Sequence, residues 1–286
     1  MVQVRKAVIP VAGLGTRFLP VTKAIPKELL PIGTKPTLQW VIEETEASGI
    51  NEIILVTSPH KREIENYFKR ETPYDKALAA QKKETLLHEF RRLTDRITLV
   101  HVIQDKPLGL GHAILKTKGE VGNEPFVVCL PDVLIESDVP CVRQLISQYE
   151  KTGSSVSATE HTPRDKIHLY GIYDIESSEG RLHKARRVIE KPTAEEAPSD
   201  FSVVGRYLFT SEVFKALETT KPGRGGEIQL ADAMDTLAKA GRMYAYEYEG
   251  RQFDTGDKLG FLMANIFYGY REFPEEVGKF IREIIN

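Results

Sequence analysis

Two cysteines in 286 residues are too few for a disulfide framework. Cys129 falls in an apolar run and Cys141 follows a proline, with no metal-ligand spacing around either. Buried, reduced thiols are expected. Long apolar runs are also missing: none approaches the roughly 20 residues of a membrane span. The N-terminus opens straight into a strand-like segment, without a signal-peptide core. No charge sign dominates, since 39 Lys and Arg face 41 Asp and Glu for a formal net charge of −2. There is therefore no whole-surface field to attract nucleic acid, and any anion must be recognised by local groups. Nothing repeats. The expectation is a cytoplasmic protein without nucleic-acid or membrane partners.

With 41% hydrophobic and 28% charged residues, the chain has material for a sizeable core and an ordinary polar surface. Its length suits one large α/β domain. Short apolar runs alternate with amphipathic segments through the first half. Ala7 to Val11, Glu52 to Thr57, Ile97 to Ile103 and Phe126 to Leu130 read as buried strands. Thr37 to Ser48, closed by Gly49, and Lys61 to Lys69 read as helices, and so does the highly charged stretch from Asp75 to Arg92. This alternation predicts a Rossmann-like, mostly parallel central sheet flanked by helices. After a helix from Asp138 to Lys151 the strands come with fewer helices between them: Ser154 to Glu160, Tyr170 to Ile175, Leu182 to Ile189, Val203 to Phe209 and Met243 to Tyr248. The spacing predicts further helices over 227–240, from Lys258 onward, and over 272–286. A single domain over 1–286 is expected, with halves at 1–135 and 136–257 and terminal helices over 258–286.

The stretch AVIPVAGLGTRFLPVTKAIPKELLPIGTKP, Ala7 to Pro36, carries the first chemistry. Ala12, Gly13 and Gly15 leave the backbone bare after a buried strand, free to take positive φ and to form a concave anion site. Arg17 adds a planar fork of donors suited to phosphate oxygens. Lys27 sits among Pro20, Pro26, Pro31 and Pro36, on an irregular segment that can hold its ammonium near the same place. This is neither a Walker A loop, lacking Gly-Lys-Ser/Thr, nor the dinucleotide fingerprint, lacking the third glycine.

A second glycine loop, QDKPLGLGHA from Gln104 to Ala113, follows the third strand, where open α/β sheets bind ligands. The Gln104 amide offers one donor and one acceptor, enough to read a pyrimidine edge; Gly109 frees the backbone. Asp132 stands directly after the fourth strand, as an oxygen ligand for Mg²⁺ or as a cap. Further on, Tyr170-Gly171, Glu190-Lys191-Pro192 and Val204-Gly205-Arg206 place bare backbone, an acceptor and a cation at strand ends or within strands. Glu227 reads as a glutamate in the first turn of a helix. Asp254 is a second carboxylate poised before a helix, where a cap is the plain reading.

Small-Gly-x-Gly-Thr-Arg, then Pro26-Lys27-Glu28, then Glu190-Lys191-Pro192, resembles the nucleotidyltransferases that make nucleoside-diphosphate sugars, and within them the bacterial uridylyl-transferring branch. The resemblance extends to about Tyr268. It implies UTP and glucose 1-phosphate as substrates, UDP-glucose and pyrophosphate as products, and Mg²⁺ as cofactor. It implies Arg17, Lys27 and Asp132 in catalysis, and Ala12, Gly13, Gly15, Glu28, Gln104 and Gly109 around the nucleotide. Gly171, Glu190, Lys191 and Gly205 are implied around the sugar phosphate, with Asp132 and Asp254 on the metal and a homodimer or homotetramer as the assembly. Many members carry a second Asp after the first; here it is Val133. No left-handed β-helix is appended, which argues against the acetyltransferase-fused relatives. Two other readings stand beside this one: a thymidylyltransferase using dTTP, and a catalytically silent nucleotide-sugar sensor.

Overall fold

Among the described residues, thirteen strands, β1 to β13, lie at Lys6–Pro10, Pro31–Ile32, Lys35–Pro36, Glu52–Thr57, Thr98–Ile103, Phe126–Cys129, Val133–Glu136, Ser155–His161, Gly171–Glu179, Leu182–Glu190, Phe201–Phe209, Met243–Glu247 and Arg251–Asp254. The structure is a computed structural model, and it describes residues 2–69 and 72–285. Nine strands make one sheet in the order β5-β4-β1-β6-β11-β8-β12-β10-β9. From β5 to β6 every pairing is parallel, as the strand–helix alternation predicts. Beyond β6 the sheet is mixed. β11 runs antiparallel to both its neighbours, β12 is parallel to β8, and β9 and β10 form a hairpin closed at Gly180, φ 58°.

The central strands are covered on both faces, so their apolar residues feed two cores. Ala7, Ile9, Val127 and Cys129 pack on one face with Val41 and Ile42 of the helix Thr37–Ala47 and Leu145 of the helix Cys141–Thr152. Val8, Phe126 and Val128 point the other way, toward the helices Glu212–Thr219 and Leu230–Lys239. Both cysteines are free and buried.

Several expected helices are shorter or divided. The 75–92 stretch is two helices, Pro73–Ala80 and His88–Arg96, joined by a 3-10 turn at Glu84–Leu87. Thr72 caps the first of these in a capping box with Asp75, and Lys82 ends it at φ 55°. The 227–240 helix begins only at Leu230, so Glu227 is not in its first turn. The 138–151 helix begins at Cys141. The C-terminal helices are Lys258–Glu272 and Pro274–Ile285, broken at Phe273 before a proline; Asn286 lies outside the described residues. No described helix is long and apolar enough to cross a membrane.

Candidate active site

Four loops meet at the carboxyl edge of the parallel strands. The first follows β1. Gly15 takes φ 67° and Gly13 does not, so only one of the two glycines is there for positive φ. A Cβ on Gly15 would lie 3.2 Å from the Lys27 Cβ and from the Thr22 methyl, whereas Gly13 has open space above it. Gly15 thus lets Lys27 approach, and Gly13 leaves room for a ligand. The exposed Arg17 reaches across the site, donating from Nη1 to the Gly256 carbonyl at 3.1 Å.

Lys27 and Glu28 share a short 3-10 turn, Lys27–Leu29, with opposite surroundings. Lys27 donates to Asp132 Oδ2 at 2.5 Å. Burial works against its charge, but the Asp132 carboxylate outweighs it and holds the ammonium pKa above the ordinary value. Glu28 is 2% exposed and accepts from Lys61 Nζ at 3.0 and 2.8 Å. Lys61 also donates to the Val11 carbonyl at 2.7 Å. Burial pushes the Glu28 carboxyl up and the Lys61 ammonium down. Both Glu28 oxygens accept from Lys61, which braces the loop from within, while Glu28 also lines the pocket that holds Lys27 and Asp132.

The second and third loops are joined by a small sheet that periodicity did not disclose. β7 pairs antiparallel with β13, setting Val133 opposite Asp254. Thr255 donates from its backbone N and its hydroxyl to the Asp132 carbonyl at 2.7 and 2.9 Å. A Cβ on Gly256 would lie 2.7 Å from Asp132 Oδ2 and 3.1 Å from Asp254 Oδ1, so both carboxylates crowd one point. Burial, then the Asp132 charge, pushes the Asp254 carboxyl above its ordinary range. Asp254 is not a helix cap. That place belongs to Asp257, which accepts from the Leu259 and Gly260 amides.

Gln104 is buried at the end of β5, and its side-chain nitrogen is already engaged, with Gly109 O at 3.1 Å and His112 Nδ1 at 2.9 Å. Burial, then Lys116, lowers the His112 pKa, so the neutral ring can accept there. The carbonyl of Gln104 is left for a ligand, which replaces the expected donor–acceptor pair by an acceptor alone. Gly109, at φ 96°, answers to a neighbour in the chain: its Cβ would meet Glu227 Cβ at 2.8 Å and the Ile228 carbonyl at 2.9 Å. Residues 108 to 111 and Ile228 exchange backbone bonds across this approach, Ile228 N to Leu108 O and Gly111 N to Ile228 O.

Two pockets adjoin. One, about 320 Å³, is lined by Ala12, Gly13, Lys27, Gln104, Gly109 and Asp132 among others. Its neighbour, about 280 Å³, is lined by Tyr170, Gly171, Glu190, Lys191, Tyr207 and Gln229 among others. Leu110 and Leu130 line both. Lys191 sits at φ 45°, sparsely populated for a residue with a side chain, and its amide donates to the Tyr170 carbonyl. Gly205 belongs to neither lining. A Cβ there would lie 2.9 Å from Leu130 and Val133 side-chain atoms, so what approaches it is the protein's own packing. Sequence reasoning gave no role to Lys61 and Thr255, whose partners lie 33 and 123 residues away, nor to His112, whose partner Gln104 is only eight residues away but is met through a side-chain contact.

A family model described as nucleotidyl transferase matches residues 6–270. The UTP–glucose-1-phosphate uridylyltransferase of Staphylococcus haemolyticus is 44% identical over 99% of both chains. That of Bacillus subtilis is 42% identical over 100% of this chain and 99% of its own. The structure resembles a UDP-glucose pyrophosphorylase complexed with UDP-glucose, with TM-score 0.87 and 37% identity over 94% of this chain and 100% of the other. It is also similar to the UTP-bound enzyme of Acinetobacter baumannii, with TM-score 0.88 and 39% identity over 99% of each chain.

Proposed function

The chain belongs to the nucleotidyl transferase family, and we propose that it transfers the uridylyl group of UTP to glucose 1-phosphate, giving UDP-glucose and pyrophosphate. One observation carries the reading: two pockets of about 320 and 280 Å³ meet at Leu110 and Leu130, beside Asp132 and Lys27. A nucleoside triphosphate in the first and a sugar phosphate in the second would bring their phosphates together there. Curated relatives at 42–44% identity over the full chain, named for this reaction, support the choice of substrates.

A phosphate oxygen of glucose 1-phosphate attacks the α-phosphorus of UTP, the new P–O bond forms, and the bond to the β-phosphate oxygen breaks with its electron pair going to pyrophosphate. The nucleophile is already an anion, so no general base is needed; positioning and charge neutralisation carry the rate. Arg17 and the amides around Gly13 and Gly15 hold the triphosphate. Lys27 has one protein partner among the described residues, Asp132. Its remaining N–H donors can stabilise charge on the α-phosphate and the departing pyrophosphate. The Gln104 carbonyl accepts from the uracil imide, and Glu28 holds the loop through Lys61. Gly171 and Glu190 meet the sugar, and Lys191 its phosphate, with Gly205 behind them in a packing role.

Asp132 and Asp254 fit a hard divalent cation. They are oxygen donors only, they crowd one point above Gly256, and their mutual repulsion asks for a counter-charge. Mg²⁺ held there would supply charge neutralisation of α-phosphate and leaving group. We place the chain in the cytoplasm as a single nucleotidyltransferase domain over 1–286, with nucleotide and sugar halves at 1–135 and 136–257. Phe280 and Ile284, 61% and 66% exposed on the last helix, support a homodimer or homotetramer.

Pyrophosphate release with glucose 1-phosphate and Mg²⁺ tests the assignment across UTP, dTTP, ATP and GTP. Strong preference for UTP, abolished by EDTA, is the expected result. Preference for dTTP would move the protein to a thymidylyltransferase, and binding without release to a sensor.

A further inference from the structure

Arg206 is the largest fully buried side chain in the described protein. It lies in the middle of β11, beneath the turn that presents Asp132. Nε faces Glu44 Oε1 and Oε2 at 3.2 and 3.1 Å, and Nη2 donates to Glu44 Oε2 and the Val133 carbonyl, both at 2.7 Å. Nη1 donates to the Leu130 and Gly205 carbonyls at 3.2 and 3.0 Å. Every N–H of the guanidinium therefore has an acceptor inside the protein. Leu130 and Val133 bracket Pro131–Asp132, so one cation grips both ends of the turn. Thr255 holds its middle, through the Asp132 carbonyl.

Glu44 is anchored in its turn, accepting from the amide of Val142 at 3.2 Å near the start of the helix Cys141–Thr152. Burying an ion pair is costly, and apolar residues of like volume commonly serve stability as well or better. A buried fork that ends on two carbonyls, one on either side of a candidate metal ligand, has another use. Arg is suited to it by its planar set of donors, which an ammonium cannot reproduce.

We propose that Arg206, with Glu44 as its counterion, is a positioning residue that fixes the 130–133 turn so that the Asp132 carboxylate is preorganised for the divalent cation. This rests on the metal assignment above. The test is direct binding: Mn²⁺ is titrated into the enzyme–UDP-glucose complex and free Mn²⁺ is counted by electron paramagnetic resonance. Arg206→Lys should weaken Mn²⁺ binding by about 10- to 100-fold, the scale of lost outer-shell support. Its kcat should fall and recover in part at high Mg²⁺, while KM for glucose 1-phosphate stays within about threefold.

Val213→Ala supplies the stability control, because it opens a cavity in the core on the other face of the sheet. It should lower Tm without moving the Mn²⁺ affinity. Arg206→Lys with unchanged Mn²⁺ affinity, or Val213→Ala with an equal loss, overturns the proposal. Should Arg206→Lys fail to fold, Glu44→Gln, which keeps the shape and removes the charge, decides in the same titration: weaker Mn²⁺ binding supports the proposal and unchanged binding overturns it. Wild type that binds no Mn²⁺ would remove the metal site itself, and the proposal with it, a failure visible before any variant is made.

Discussion

Lys27 and Glu28 are consecutive, each in an ion pair, and the two pairs have little else in common. Lys27–Asp132 joins side chains 21% and 25% exposed at the wall of a pocket. Lys61–Glu28 joins side chains 10% and 1% exposed, with Glu28 in the lining of the same pocket. The Lys27 ammonium makes one protein bond, while that of Lys61 makes three, both Glu28 oxygens and the Val11 carbonyl. An ammonium with spare donors beside a carboxylate can exchange partners when a phosphate arrives. An ammonium with its donors filled inside the protein cannot. One turn thus carries a pair with spare donors, the proposed working pair, and beside it a fully bonded pair that braces it.

The contrast breaks most visibly in the rate. Asp132→Ala or Lys27→Ala should lower kcat on the order of 10²–10³-fold, the scale of a lost electrostatic donor, with Tm nearly unchanged. Near-normal turnover in either variant would sink the working role. Lys61→Met should show the reverse order of symptoms. It strands the Glu28 carboxylate in the interior at a cost of about 3–5 kcal/mol, read as a large fall in Tm or in denaturant midpoint. Adding Glu28→Gln should return most of that loss, since no charge is then left unpaired. If the double variant is no more stable than Lys61→Met alone, the pair is not a brace.

The residues of the proposed working pair were marked in the sequence, and the partnership that forms the brace was not. Lys27 and Asp132 stand out because prolines and a strand end surround them. Lys61 lies in an ordinary charged helix start, and only the fold reveals its partner 33 residues away. Arg206 and Glu44 are separated by 162 residues; the Val204-Gly205-Arg206 triplet marks the arginine, but nothing local marks its partner. The α/β class, the strands and the central sheet flanked by helices were readable from period and punctuation. Strand direction beyond β6 was not, because no residue type encodes which way a neighbour runs. The 75–92 stretch read as one helix because neither Gly nor Pro interrupts it, yet Lys82 ends the helix at φ 55°. Gly109 read as backbone freed beside a nucleotide; in the fold it lines the first pocket and, in addition, makes room for Glu227 and Ile228.

The same distinction can be drawn, on a smaller scale, in the sugar pocket. Glu190 is half-buried at the end of β10, and its nearest cation, Lys191 Nζ at 3.3 Å, is exposed. It therefore resembles the working pair more than the brace. Glu190→Ala should cost about tenfold in the preference for glucose over galactose 1-phosphate, on the scale of one charged hydrogen bond, with Tm little changed. A variant that discriminates as wild type does would leave Glu190 without a role in sugar selection.

The smallest effect should come from His112, which accepts from Gln104 Nε2 at 2.9 Å at the proposed base site. Burial, and Lys116 after it, lowers its pKa from the ordinary 6.5, so the folded protein binds less proton there than the unfolded chain. The stability linked to neutral His112 is present above that ordinary value and is lost as pH falls through the lowered one. Once protonated, Nδ1 is a donor and cannot accept from Gln104, whose amide must turn and withdraw its carbonyl from the base. KM for UTP should then rise about two- to fivefold on acidification, the worth of one neutral hydrogen bond. The phosphates of both substrates titrate in the same region, so the readout is the difference between wild type and His112→Asn, whose side-chain oxygen can accept at the same place without titrating. His112→Asn should hold its KM where that of wild type climbs. An identical climb in both would assign the whole effect to the substrates and leave His112 with a packing role only.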